Sequence, residues 1–193
     1  QEDGKKIKVV FSGDLGNANQ PIVKDPAIIE SADFLVIEST YGNRIHDEAV
    51  GRADKLLQII NETMAKGGNL ENKLDPDIRV FIDSPLAITA TEIFIKHQDW
   101  YDDTTRAFIR EKDPWQFINL NYSRTREESM QLNDTLGKSI IISASGMCEA
   151  GRIKHHLKHN LWRPESTILF VGYQAAGTLG RRILDGEEVV TIH

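Results

Sequence analysis

Apolar positions along the chain follow two rhythms. Short β-branched runs at residues 7–12, 33–38, 79–83, 117–120, 139–143, 167–172 and 188–192 have the length and the flanking turn residues of strands. Between several of them, residues 47–65, 87–96, 124–132, 149–161 and 178–184 space their apolar positions as helices do. In the first helical segment Ala53, Leu56, Leu57, Ile60 and Met64 share one face, and Gly67-Gly68 ends it. Strands alternating with helices predict an α/β fold, a mostly parallel sheet flanked by helices. The sequence holds no internal repeat or low-complexity tract, and its most polar break runs from Gly67 to Pro76.

Composition narrows the class. The 193 residues are 40% hydrophobic and 27% charged, with 6 prolines, which is the balance of a globular chain with a real core rather than a disordered one. The 23 basic and 29 acidic residues leave a formal charge of −6, so any nucleic acid would have to meet a local positive surface. No apolar run is long enough to span a membrane, and the first residues lack the basic-then-apolar order of a secretory leader. Together with the single cysteine, Cys148, which rules out an internal disulfide, this fits a cytoplasmic chain.

Chemistry concentrates where strands run into polar turns, the crevice edge of an open parallel sheet. Asp14, in Ser12-Gly13-Asp14-Leu15-Gly16, can reach a metal or cap a turn. Glu38 ends the apolar run Val36-Ile37; an acid there is expected to be half buried, where its surroundings could tune proton transfer, although acids at strand ends are more often surface groups. Two strand–turn–helix units, Ser143-Ala144-Ser145-Gly146-Met147 and Gly172 to Arg182, combine glycine, small hydroxyls and a helix start, a combination that suits a phosphate and also suits a tight turn. Neither matches a dinucleotide or Walker fingerprint. Ser84, between Asp83 and Pro85, reads as a helix cap. His155 and His159 share a helix face at i, i+4, but no third ligand is evident, Lys154 and Lys158 oppose a cation, and His156 points elsewhere. Cys148 reads as a buried structural thiol. Trp100, Tyr101, Trp115 and Phe117 read as core or lid before they read as a base-stacking platform.

Taken together, Phe11 to Gly16, Glu38 to Arg44, Asp83 to Ala87, Ser143 to His156 and Gly172 to Arg181 resemble the β-CASP group of the metallo-β-lactamase superfamily, which includes RNA-processing nucleases. The resemblance implies a β-CASP domain over residues 45–193, preceded by residues 1–44 as the C-terminal portion of a metallo-β-lactamase αββα domain. It implies a hydrolase in which two zinc ions activate a water against a phosphodiester bond of single-stranded RNA. Under it Asp14 is a metal ligand bridging the two ions, Glu38 is the acid of the first β-CASP motif and serves catalysis, and Ser145, Gly146 and Thr178 line the substrate groove. Arg44, Arg181 and Arg182 could complement phosphates. A homo-oligomer is compatible with the group.

The family's His-x-His-x-Asp-His motif and its later histidine motifs are absent from these residues, and the stretch near 69–74 is shorter than the family pattern. The chain is therefore expected to be part of a larger ribonuclease, inactive alone and retaining no zinc. The alternatives are a non-catalytic RNA-binding or scaffolding module of an RNA-processing assembly, or a nucleotide-binding α/β domain resting only on the glycine-rich turns.

Overall fold

A computed structural model of the chain describes residues 6–42, 51–64, 77–111, 119–134 and 137–193. The chain is mixed α/β and divides into two units. One comprises Gln1–Arg52 and His97–Asp113, the other Ala53–Lys96 and Pro114–His193. The expected shortening near 69–74, the start of the first predicted helix, and Arg44, Trp115 and Phe117 lie outside the described residues.

In the first unit β1 (Val9–Phe11) and β2 (Phe34–Val36) pair in parallel, with Val9 opposite Phe34 and Phe11 opposite Val36. Both strands sit inside the predicted runs and are shorter than them. Helix α3 (Asp103–Glu111) belongs to this unit and was not anticipated by the apolar spacing. Its cap is chemical: Asp102 accepts the Thr105 amide at 2.7 Å and the Thr105 hydroxyl at 2.9 Å. Those bonds hold the Asp102 carboxyl below its usual range, the Thr105 amide contributing most. The aromatic pair separates, Tyr101 being buried and Trp100 71% exposed.

The second unit is built on a parallel sheet of order β4-β3-β5, with β3 (Arg79–Asp83) between β4 (Leu120–Tyr122) and β5 (Ser139–Ser143). Because all three run the same way, their C-terminal ends open on one edge. Helices α1 (Arg52–Met64), α2 (Pro85–Lys96), α4 (Arg126–Gln131), α5 (Ile153–Asn160) and α6 (Leu179–Leu184) complete the described α-helices. Ser84 does cap α2, accepting the Ala87 amide on its hydroxyl at 3.2 Å. Helix α4 starts with a capping box between Thr125 and Glu128, whose amide contacts hold the Glu128 carboxyl below its usual range. On α1 the expected face is only partly sunk: Leu57, Ile60 and Met64 are half-buried, whereas Ala53 and Leu56 are exposed.

Residues 167–172 and 188–192 correct the strand expectation, since neither forms a ladder among the described residues. The alternation there is real nonetheless. Ile168, Phe170, Val190 and Ile192 pack against the buried cluster Cys148, Leu157 and Leu179, while Leu169, Val171 and Val189 face outward. A period of two reports extended backbone with one face buried, and pairing is a separate matter. No described helix is long and apolar enough to cross a membrane.

Candidate functional site

In the first unit the turns after β1 and β2 are tied into one structure. The Ser12 amide donates to the Val36 carbonyl at 2.9 Å, and the Glu38 amide donates to the Ser12 hydroxyl at 3.1 Å. That hydroxyl in turn donates to Gly13 O at 2.7 Å. Gly13 has φ +56°, a conformation that favours glycine and lets the chain reverse directly before Asp14. The Glu38 carboxylate then reaches back: Oε1 accepts the Leu15 amide at 2.8 Å and Oε2 accepts the Thr40 hydroxyl at 2.9 Å. Glu38 is exposed, which corrects the half-buried expectation. Its environment is therefore defined by two donors rather than by desolvation. Asp14, exposed and without a hydrogen-bond partner among the described residues, is carried on the loop that Glu38 clamps.

A carboxylate presented this way can ligate a cation, and one carboxylate does not make a metal centre. Among the described residues no three His, Cys, Asp or Glu side chains converge as metal ligands. The donors present thus do not fit a two-zinc site by themselves.

In the second unit the strand-end edge is organised by Asp83, whose side chain is fully buried. Its Oδ1 accepts Arg152 Nη1 at 2.7 Å, and its Oδ2 accepts the Ser129 hydroxyl at 2.6 Å and faces His156 Nε2 at 2.6 Å. A carboxylate only accepts, so Nε2 carries a hydrogen in this contact. His156 Nδ1 lies 3.3 Å from Asn133 Oδ1. Arg152 also donates to the carbonyls of Ser123 at 2.7 Å and Arg124 at 3.0 Å, and Ser143 Oγ donates to the Asp83 carbonyl at 3.1 Å. Asp83 thereby links the strand ends to the start of α5: its carboxylate holds Arg152 and His156, Arg152 reaches the carbonyls just past β4, and the Asp83 main-chain carbonyl accepts from Ser143 at the end of β5. Sequence reasoning did not single out Arg152 and set His156 aside as pointing away from the His155–His159 face; that direction is the one that faces Asp83.

The predicted groove residues lie on two turns that the structure joins. Gln174 Nε2 donates to Gly146 O at 2.9 Å, and the Gly180 amide donates to Met147 O at 3.0 Å. Approach is close enough that a Cβ on Gly180 would sit 1.9 Å from Gln174 Oε1. The Ser145 hydroxyl bridges the Ala150 amide and carbonyl, both at 3.3 Å, and Thr178 caps α6 by accepting the Arg181 amide at 3.3 Å. Both hydroxyls are thus engaged locally. Arg181 pairs with Asp185 and Arg182 with Glu187, the latter through two contacts of 2.6 Å, so neither guanidinium is held for a phosphate. Burial raises the Cys148 thiol above its usual range, which leaves it a packing group.

The second unit is an α/β domain on a parallel sheet whose strand ends open on one edge, and the first carries an acid clamped after a parallel two-stranded ribbon. Residues 53–183 match the Beta-Casp domain, more than half of the chain, and the chain belongs to the β-CASP family of the metallo-β-lactamase superfamily. It is 30% identical to Ribonuclease TTHA0252 of Thermus thermophilus over 98% of this chain and 48% of that protein. It is 29% identical to Transcription termination factor FttA of Methanosarcina mazei, over 92% of this chain and 28% of that protein. It is also 25% identical to Endoribonuclease ysh1 of Schizosaccharomyces pombe, over 92% and 26%. The chain spans about half or less of the length of these curated relatives.

Proposed function

We propose that this chain is part of a zinc-dependent ribonuclease that hydrolyses phosphodiester bonds of single-stranded RNA. The observation that carries the reading is the clamp from Glu38 Oε1 to the Leu15 amide, which fixes the loop bearing Asp14 at the ends of two parallel strands. In this reading residues 1–44 belong to the metallo-β-lactamase domain and residues 45–193 to the β-CASP domain. Phe11, Phe34 and Ile37 are 73%, 61% and 58% exposed, and such exposure on a two-stranded ribbon supports a larger domain around it. Asp14 contributes one carboxylate to the metal site of the full protein, and Glu38 positions that carboxylate. Bound zinc lowers the pKa of water and offsets charge on phosphate. Ser145, Gly146 and Thr178 line the RNA groove, a role supported by the bonds that join their two turns. In this reading the chain, with one metal ligand of the set among the described residues, is inactive alone.

The test uses the full protein and an end-labelled, unstructured RNA. Zinc-loaded protein shortens the RNA, chelation stops the reaction and added zinc restores it. Cleavage that continues unchanged in chelator overturns the zinc dependence. Binding without cleavage by the zinc-loaded protein overturns the hydrolase reading in favour of a non-catalytic RNA-binding or scaffolding module.

A further inference from the structure

The stretch Ala150 to Pro164 contains no acidic residue, between Glu149 and Glu165, yet it carries Arg152, Lys154, Lys158, Arg163 and three histidines in a chain of net charge −6. Folding sorts these groups by face. Arg152 and His156 turn inward to Asp83, and Ile153 and Leu157 join the apolar cluster. At about 100° per residue, Lys154, His155, Lys158 and His159 share an arc of about 140° on the opposite side of α5. His155, Lys158 and His159 are exposed and Lys154 is partly so. Two residues past the end of α5, Trp162 is 73% exposed, with the Arg163 guanidinium 5.4 Å from its ring centroid. No carboxylate among the described residues pairs with any of the cations on this face.

Helix stability accounts for half of the pattern. Lys158 and His159 lie in the last turn of α5, where cations complement the helix dipole. Lys154 and His155 lie in its first turn, which holds no acid, and there the dipole opposes a cation. Solubility does not require an uncompensated positive strip on an acidic protein either. A polyanion with flat, stackable groups satisfies both features at once, because phosphates complement the cations and a base can lie on the indole.

From this we infer that the outer face of α5, continued by Trp162 and Arg163, is a docking surface for single-stranded RNA, separate from the turns assigned above to the groove. The inference rests on the reading of the protein as an RNA-acting one, and it concerns binding rather than cleavage.

The experiment measures anisotropy of a fluorescein-labelled 12-nucleotide oligouridylate with the full protein in chelator, and cleavage in parallel with zinc. Lys154→Ala combined with Lys158→Ala weakens binding and reduces the slope of log affinity against log salt by about 1.4, at about 0.7 per phosphate contact. Trp162→Ala weakens binding at least about 5-fold, and Trp162→Phe retains most of it. Circular dichroism of α5 variants matching the wild type keeps the comparison valid, since none of these side chains is buried. Cleavage by the wild type combined with unchanged binding by these variants overturns the surface and leaves the ribonuclease reading standing. Binding that depends on these residues without any cleavage overturns the ribonuclease reading and leaves the surface standing. No RNA binding by the wild type, or equal competition by polyglutamate, overturns the surface.

Discussion

Asp83 shows how much one side chain can organise. A fully buried carboxylate is unfavourable unless its charge and lone pairs are satisfied, and here a guanidinium, a hydroxyl and an imidazole do so together. Removing it leaves the buried His156 Nε2 and Ser129 hydroxyl without their acceptor and takes the carboxylate from a partly buried Arg152. Asp83→Ala is expected to destabilise the chain by about 3–5 kcal/mol in urea unfolding. Arg152→Lys should recover only part of the wild-type stability, because an ammonium cannot reach the carboxylate and two carbonyls with one planar fork. Wild-type stability for Asp83→Ala would show that the network is incidental. The sequence exposes Asp83 as an acid at a strand end and Ser84 as a cap, both legible from local chemistry. It does not expose the partners of Asp83, because Arg152 and His156 lie 69 and 73 residues away and meet it only when β3 and α5 are packed. Glu38 illustrates the opposite error. Its position was legible, but the depth at which a strand end sits depends on neighbours that periodicity does not contain.

Elements were legible where two signals agreed. Residues 79–83 and 139–143 form strands at the predicted bounds, since an apolar β-branched run there also finds a ladder partner. Residues 167–172 and 188–192 had the same run without the partner, so their alternation became packing against Leu157 and Leu179 instead. Helix α3 failed the reverse way: its apolar positions are few, and its Asp102 cap carries the signal. The end of α6 gives a test at this scale. Pairing with Arg182 holds the Glu187 carboxyl below its usual range, and pairing with Arg181 does the same for Asp185. A folded pKa below the unfolded one means that the stabilisation is present above about pH 4.3 and is lost as pH falls through the folded value. The urea midpoint of the wild type should therefore exceed that of Glu187→Gln at pH 7, with the gap closing toward pH 3. A gap of the same size at both pH values contradicts the ion pair as its source.

At the scale of the molecule, family membership places most of the chain in a β-CASP domain, and the first unit brings a short parallel ribbon with apolar side chains open to solvent. The α/β class followed from alternation of strand and helix runs, which is a property of the whole sequence and survives errors at single elements. The functional reading followed from resemblance and gained a physical basis in the clamp between Glu38 and the Asp14 loop. The proposed function makes a definite statement about this clamp: in that proposal Asp14 is the working carboxylate and Glu38 its positioner. The most direct measurement is the single-turnover rate of RNA cleavage by the full, zinc-loaded protein and by its Asp14→Ala and Glu38→Gln variants. Asp14→Ala is predicted to fall by more than about 100-fold and Glu38→Gln by about 10- to 100-fold, as expected for a metal ligand and the group that orients it. An Asp14→Ala protein that cleaves RNA at the wild-type rate contradicts the account.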